Sequence, residues 1–207
     1  RVKRLVRLGR YEPGAVSVRE CEDVYLDTAS RVLLQHGYAC RLRTVGGRNL
    51  VTVKGLGEAR GGEHRRFESE ASADGALGPN PRSWPQWEGR EIVLSLAGEE
   101  ALHPLFTVRQ TRHVRTLRDG ERVVAEMSID EGCVDISGHQ YPFCTLEIEQ
   151  MEGGGAEDLQ SLVTHLSTTW GLQPEPMSKF EIGLAQLDGA QSPTREEGRV
   201  SDTERTR

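Results

Sequence analysis

Charged side chains recur at alternate positions within short segments that otherwise carry apolar residues. Arg41 and Arg43 are separated by one leucine, and Glu147 and Glu149 are separated by one isoleucine. Because successive side chains of a β-strand point to opposite faces, the two members of each pair would share a face. Guanidinium groups match phosphate oxygens, and oxygen ligands such as carboxylates suit Mg²⁺ and Mn²⁺. Brought together, such faces would hold a polyphosphate bridged to a divalent metal ion.

The sign of the charge differs from one segment to the next, so cations and carboxylates are segregated. The cationic positions are Arg41, Arg43, Lys54 and Arg109, and the acidic positions are Glu126, Asp130, Glu147 and Glu149. An antiparallel sheet with one solvated face would explain each segment taken alone. The segregation favours an α+β fold in which an antiparallel β-barrel has a charged lumen and helices packed outside. Charges in such a lumen must be paired or bound to ions.

Strands and a few helices must position these residues. Residues 24–37 predict a short strand, a turn capped near Asp27 and Thr28, a helical turn and a glycine stop. Alternation of apolar and polar side chains predicts strands over 38–45, 49–54, 64–71, 105–117, 122–130 and 141–151. Other signals predict the end of a helix in 1–11 and helices over 91–103, 156–170 and about 178–187. The last of these begins with an S-x-x-E capping box formed by Ser178 and Glu181. Residues 1–188 are therefore expected to form one domain, and the polar residues 189–207 a disordered tail.

The composition argues against several classes of partner. The 207 residues carry 26 Lys/Arg and 32 Asp/Glu, a net charge of −6, which disfavours a free-standing basic nucleic-acid-binding domain. Residues 1–70 hold 14 basic and 9 acidic side chains, which suggests a basic part folded against an acidic one. No apolar run is long enough to span a bilayer. The four cysteines form no C-x-x-C pair, so we expect reduced thiols and a cytoplasmic protein.

Seven segments resemble the CYTH family, the triphosphate tunnel metalloenzymes, which include thiamine and inorganic triphosphatases and class IV adenylate cyclases. The segments are YLDT (25–28), RVLLQHGYACRLR (31–43), VTVKG (51–55), HRRFESEA (64–71), SID (128–130), LEIE (146–149) and PMSKFE (176–181). Their order and spacing resemble the family from about residue 20 to residue 187. The family fold is an antiparallel β-barrel that forms a tunnel with helices outside, so the resemblance implies the same architecture as the charge alternation.

The resemblance also implies roles for individual residues. The implied triphosphate-binding cations are Arg41, Arg43, Lys54, Lys179 and either Arg109 or Arg112. The alternation favours Arg109, whereas a β-bulge would bring in Arg112. The implied ligands of Mg²⁺ or Mn²⁺ are Asp130, Glu147 and Glu149, with Glu68, Glu70 and Glu126 as supporting carboxylates. Glu147 and Glu149 would also take part in catalysis.

The opening E-x-E-x-K strand of the family has no counterpart near the start of this sequence. We therefore expect a tunnel domain that is incomplete on its N-terminal side, with exposed strand edges. The leading hypothesis is metal-dependent hydrolysis of inorganic triphosphate, or of an organic triphosphate such as thiamine triphosphate, without a nucleic-acid or membrane partner. Two alternatives stay open: a non-catalytic module that binds polyphosphate or a nucleotide, and class IV adenylate cyclase activity.

Overall fold

One antiparallel sheet contains all the strands that the computed structural model describes. The structure describes residues 6–57, 67–73, 75 and 77–191. The strands are β1 (Glu12–Pro13), β2 (Ser17–Thr28), β3 (Tyr38–Val45), β4 (Arg48–Gly55), β5 (Glu68–Ala73), β6 (Leu102–Asp119), β7 (Arg122–Ile136) and β8 (His139–Gln150). The helices are α1 (Val32–Gln35), α2 (Glu88–Ala97), α3 (Ala156–Trp170) and α4 (Lys179–Gln191).

The strand order is β5-β4-β3-β2-β6-β7-β8, and the short β1 pairs with the end of β6. The long hairpins place Arg112 of β6 opposite Asp130 of β7, and Ser128 of β7 opposite Glu147 of β8. Strands β5 and β8 are the two ends of this order, so the sheet is not closed in the part of the chain that the structure describes. The expected α+β antiparallel architecture is confirmed.

One face of the sheet, which we call the inner face, carries a set of charged side chains. Among them are Asp23, Arg41, Arg43, Lys54, Glu68, Arg112, Asp130 and Glu147. On the opposite, outer face, Val51 and Val53 pack beneath Val93 of α2. Met127 packs beneath Leu162 of α3 on the same face. All five apolar side chains are fully buried, and burial of each stabilises the fold by about 1.5–3 kcal/mol.

Helix α4 packs on the inner face, unlike α2 and α3. Its residues Phe180 and Leu184 join a core cluster with Phe106 and Val108 at one end of this face. Gly183 permits the close approach, because a Cβ at this position would lie 2.3 Å from the ring of Phe106. The helix therefore covers the apolar end of the inner face, and its first residue lies beside the charged side chains.

The N-terminal part of the described chain differs from the prediction. The expected helix end in 1–11 is wrong for residues 6–11, because Leu8 and Tyr11 exchange backbone hydrogen bonds of 2.9 and 3.0 Å in a tight turn. Both side chains are buried in the cluster that includes α3. Strand β2 is also longer than predicted, since it starts at Ser17 and pairs residue by residue with β6.

Other element ends also differ from the predicted ones. Helix α2 ends at Ala97, and Gly98 has a φ of 58°, so the predicted helix over 91–103 is wrong in its second half. Helix α4 continues to Gln191, beyond the predicted helix end at about residue 187, so residues 189–191 are helical; the rest of the predicted tail, residues 192–207, lies outside the described part. Within the described ranges, no helix has the length and apolar character needed to cross a membrane.

Candidate functional site

The first charged cluster joins strands β2 and β3 on the inner face. Arg43 donates from Nε and Nη2 to the two carboxylate oxygens of Asp23, both at 2.6 Å. Arg41 adds a longer hydrogen bond of 3.5 Å to the same carboxylate. Asp23 is fully buried, and an unpaired charge there would be costly. Burial opposes ionisation of Asp23, but the hydrogen bond from Arg43 and the charges of Arg41 and Arg43 together outweigh it and lower the pKa of the carboxyl group.

Strands β4 and β5 extend this first cluster. Lys54 Nζ lies 2.9 Å from Glu68 Oε1, and Thr52 Oγ1 donates to Glu70 Oε2 at 2.9 Å. The register explains both contacts, since each pair is directly opposite across the two strands. Burial and then repulsion from Arg41 lower the pKa of Lys54. Glu68 thus contacts a cation, and Glu70 contacts a hydroxyl group. The closely spaced cations Arg41 and Lys54 favour a ligand with several negative charges.

The second charged cluster lies on β6, β7, β8 and the start of α4. Arg112 donates to the two oxygens of Asp130 at 2.8 and 2.7 Å and to Glu147 at 2.9 Å. Lys179 Nζ lies 2.5 Å from Asp130 and 2.7 Å from Glu147. Two cations therefore share two carboxylates. Asp130 is fully buried, whereas Glu147 keeps 47% of its side-chain exposure, so the cluster opens to solvent on the Glu147 side.

A capping box fixes the start of α4 and with it the position of Lys179. Glu181 Oε2 accepts from the backbone N–H of Ser178 at 2.7 Å, and Ser178 Oγ accepts from the backbone N–H of Glu181 at 3.3 Å. This confirms the predicted box. A lysine in the first helical turn lies at the positive end of the helix dipole, which is unfavourable. Its contacts with Asp130 and Glu147 offset that cost.

The cations of the second cluster keep its exposed carboxylate ionised. Burial opposes ionisation of Glu147, but Lys179 and then Arg112 outweigh it and hold the pKa of Glu147 at about 2. Burial also opposes the charge on Arg112, yet the hydrogen bond to Asp130 raises the pKa of that guanidinium. Arg112 and Glu147 are therefore both charged at neutral pH.

The two clusters face each other across the inner face. Lys54 contributes to the low pKa of Glu147, and Lys179 contributes to the low pKa of Asp23. In a flat sheet β4 and β8 would lie about 24 Å apart, because neighbouring strands are spaced by ~4.8 Å. Exposed charges at that separation are largely screened in salt solution. Packing shows the same relationship, because Ala39 of β3 and Tyr141 of β8 lie in or against one core cluster with Phe180 of α4. The sheet therefore curls, and cations from β3, β4, β6 and α4 converge on one concave surface.

Arg109 lies on the outer face. The prediction that Arg109, rather than Arg112, belongs to the site is therefore wrong. Its Nε lies 2.8 Å from Glu22 and its Nη1 lies 2.8 Å from Asp135, and half of its side chain is exposed. Arg112 reaches the inner face without a bulge, since β6 keeps an unbroken register with β7 around it. Val108 and Arg112 share the inner face of β6. This face is apolar at Val108, beneath α4, and charged at Arg112, beyond the helix.

The carboxylates predicted to bind a metal ion fall into two groups. Asp130 and Glu147 are engaged by the cations of the second cluster, whereas Glu149 lies directly opposite Glu126. Like charges in that position repel each other, and a cation would relieve the repulsion. Among the described residues, no group of three His, Cys, Asp or Glu side chains is suited to a metal ion. Since Mg²⁺ is usually held by one or two carboxylates plus substrate phosphates, these oxygens fit Mg²⁺ or Mn²⁺ alongside a phosphate ligand.

Sequence reasoning missed several polar residues of the inner face, among them Asp23, Gln110 and Thr145. Asp23 precedes the predicted strand, and extending the alternation backwards from Tyr25 would have placed it on the same face. Gln110 and Thr145 carry no charge, so the charge pattern gave no signal for them. The available signal for Gln110 was its spacing of two residues from Arg112.

Comparisons with known proteins agree with this architecture. A Hippeastrum protein, described as a candidate adenylyl cyclase with a dominant triphosphatase activity, superposes with a TM-score of 0.58 at 15% identity, covering 82% of this chain and 83% of that one. A candidate adenylate cyclase from Bacillus halodurans gives 0.57 at 14% identity, covering 78% and 79%. A Pyrococcus horikoshii protein gives 0.53 at 18% identity, covering 84% and 88%. At these identities the likeness shows the fold.

The sequence itself identifies the family more directly than these superpositions. The model of the CYTH domain matches residues 2–181, which includes every cation and carboxylate of the two clusters. With the open antiparallel sheet and the converging charges of its inner face, this match shows that the chain belongs to the CYTH family.

Proposed function

We propose that this protein hydrolyses a triphosphate on the inner face with the help of a divalent metal ion. The observation that carries the proposal is the convergence of five cations from four elements. They are Arg41, Arg43, Lys54, Arg112 and Lys179. Guanidinium groups bind phosphate oxygens through two parallel hydrogen bonds, and convergent cations stabilise the charge of a phosphoryl group in transfer. Inorganic triphosphate is our default substrate, and thiamine triphosphate is an organic candidate.

The present ion pairs indicate how such a ligand would be accepted. Each cation of the site already contacts a carboxylate, so triphosphate oxygens would replace carboxylate oxygens at Arg112 and Lys179. The carboxylates released in this exchange, Asp130 and Glu147, would hold Mg²⁺ or Mn²⁺ together with Glu149. The ion would neutralise charge on the phosphate oxygens. The exchange keeps charges paired throughout, which avoids leaving a buried ion alone.

A non-catalytic polyphosphate-binding module is the second candidate. One observation favours it: the described residues hold no ready three-ligand metal group. This module would bind triphosphate through the same cations but release no phosphate. A cyclase-like activity would instead convert a nucleoside triphosphate to a cyclic product and diphosphate.

The site belongs, in this proposal, to a cytoplasmic enzyme that acts on small molecules. The four cysteines support this, because Cys21, Cys40, Cys133 and Cys144 are all free in the structure. Secreted proteins more often pair their cysteines, whereas reducing compartments keep thiols free.

The test is phosphate release from inorganic triphosphate with Mg²⁺ or Mn²⁺, measured alongside triphosphate binding by calorimetry. We expect release that stops with a chelator and that Arg41→Ala and Glu147→Ala abolish. Arg82→Ala is the control, because Arg82 lies on the surface and pairs with Glu99 away from the inner face. Binding without release would favour the binding module. Absence of both binding and release would overturn the proposal.

A further inference from the structure

Gln110 is a buried polar residue whose side chain has no partner. It lies on the inner face of β6, two residues before Arg112, and is only 3% exposed. Neither its Oε1 nor its Nε2 makes a hydrogen bond. Leaving buried amide groups unpaired costs free energy, whereas an apolar side chain of similar shape would avoid that cost. An unpaired group of this kind requires an explanation, and contact with a ligand is one.

Two residues beside Gln110 define its surroundings, and one of them points to the same explanation. Gly132 lies directly opposite Gln110 on β7, and a Cβ there would lie 2.0 Å from the carbonyl oxygen of Arg109. A glycine within a strand often marks the close approach of another backbone, and here the β6 backbone lies against Gly132, so this glycine sets how tightly β7 packs beside Gln110. Thr145 of β8 is on the same face, and its buried Oγ1 also has no partner. We call these three residues, Gln110, Gly132 and Thr145, the polar notch.

The polar notch lies beside the second charged cluster. Thr145 is directly opposite Asp130, which in turn is opposite Arg112. The Asp130 carboxylate is already hydrogen-bonded to Arg112 and Lys179. A neutral amide adjacent to these cations offers both a donor and an acceptor. Phosphate oxygens only accept hydrogen bonds, so a phosphate alone would satisfy Nε2 and leave Oε1 unpaired.

We propose that Gln110 positions the attacking water in triphosphate hydrolysis, with Oε1 accepting from the water and Nε2 donating to an oxygen of the phosphoryl group. This inference rests on the proposed function. The water oxygen forms a bond to phosphorus, and the bridging P–O bond breaks with its electron pair leaving on diphosphate. The water proton passes to a phosphate oxygen and then to solvent. A glutamine that orients the water can serve in place of a general base, because the transition state of phosphoryl transfer is loose and catalysis depends mainly on positioning.

Gln110→Met tests this role, because methionine keeps the length of the side chain and removes both polar groups. We expect kcat for phosphate release to fall at least tenfold, while KM and the Kd for inorganic triphosphate change less than threefold. The unfolding midpoint without ligand should stay the same or rise, since the unpaired amide is gone. Thr145→Val should lower kcat by a smaller factor. Gln160→Met on the surface of α3 is the matched control and should change neither constant.

The outcomes separate this inference from the proposed function. Wild-type release combined with an unchanged kcat in Gln110→Met would overturn the water-positioning role and leave the proposed hydrolysis intact. A rise in Kd parallel to the loss of rate would make Gln110 a phosphate contact, which also overturns the role. A lower unfolding midpoint with unchanged kinetic constants would show a structural function. Absence of release from the wild-type protein would overturn both proposals.

Discussion

Lys179 Nζ lies 2.5 Å from Asp130 Oδ2, which joins the first turn of the last helix to the middle of strand β7. The two residues are 49 positions apart, so the contact depends on how α4 docks. That docking is set by Phe180, which packs with Phe106 at the apolar end of the inner face. Apolar packing at one end of the face therefore positions a cation in the charged part.

Gly183→Ala should separate the helix from the sheet and weaken the site. The new Cβ would lie 2.3 Å from Phe106, and overpacking of this kind costs about 1–3 kcal/mol of unfolding free energy. The affinity for triphosphate should also fall, because Lys179 moves with α4. Urea denaturation and calorimetry measure the two effects.

A second helical glycine provides the control for this prediction. Gly189 is exposed and a Cβ there would meet nothing within 4 Å. Gly189→Ala should stabilise the protein by about 0.5–1 kcal/mol, because alanine has the higher helix propensity. If both variants changed stability by the same amount in the same direction, the close packing at Gly183 would not be the cause.

Arg43→Met should be strongly destabilising because it leaves the buried carboxylate of Asp23 with only the 3.5 Å contact from Arg41. Breaking a buried ion pair from one side costs about 3–5 kcal/mol. Arg109→Met breaks exposed pairs on the outer face and should cost less than about 1 kcal/mol. Chemical denaturation of both variants measures the two losses of unfolding free energy. Losses of similar size would contradict the burial of Asp23.

Replacing Asp23 as well should restore much of that stability. Arg43→Met combined with Asp23→Leu removes both charges, and well-packed apolar replacements of a buried pair are often neutral or stabilising. The double variant should therefore be more stable than Arg43→Met alone. A double variant as unstable as the sum of two single losses would show that the pair does not act as a unit.

The assignment of Arg112, rather than Arg109, to the site gives a kinetic prediction. Arg112→Ala should lower kcat/KM for triphosphate by about 10²–10³, the usual loss when one donor to a developing charge is removed. Arg109→Ala should change kcat/KM less than twofold, because its guanidinium contacts only Glu22 and Asp135 on the outer face. Steady-state phosphate release measures both, and a larger effect at Arg109 would contradict the face assignment.

Acid should lower the unfolding free energy of the protein without bound metal, partly because Glu147 becomes protonated. Its pKa falls from an ordinary value of 4.5 to about 2 in the folded state. A lowered pKa stabilises the folded state above the unfolded pKa, and that contribution is lost as the pH falls from about 4.5 to about 2. Glu147→Gln should therefore flatten the dependence of unfolding free energy on pH within this window.

Two further variants sharpen the acid experiment, which uses chemical denaturation between pH 7 and 2. Lys179→Met should also flatten the curve, because Lys179 is the main group that lowers the pKa of Glu147. Asp158 contributes in the same window, because Arg10 and the backbone N–H of Gly155 outweigh burial and hold its pKa at about 2. Asp158→Asn should therefore remove a separate part of the slope. Identical curves for wild-type protein and Glu147→Gln would contradict the role of the ion pairs.

Much of the fold could be predicted from the sequence because strands have a period of two and charge makes that period visible. The hairpin of β3 and β4 follows directly from Tyr38–Val45 and the glycine turn after it. The last two helices were located by apolar spacing and by the capping box at Ser178. The period of two also placed Arg41 and Arg43 on one face, which the pairing with Asp23 confirms.

The alternation could not decide which face of a strand points inward. Within β6 it separates Arg109 from Arg112 and favours Arg109, whose face also carries Thr111 and His113, but it cannot show that this polar face is the outer one. The docking of α4 makes the Val108 face the inner one, and Arg112 shares that face. Tertiary packing thus selected Arg112, against the preference for Arg109 that the alternation gives.

The sequence by itself determined the residue types and their spacing, and hence which strands carry a charged face that can bind a phosphate ligand. Only the tertiary structure decided that Lys179 joins Arg112, that Asp23 is the buried partner of Arg43, and which carboxylates those cations hold. The reason is physical: side-chain alternation is a local property of each strand. The curl of the sheet and the position of α4 arise from contacts between residues far apart in the chain.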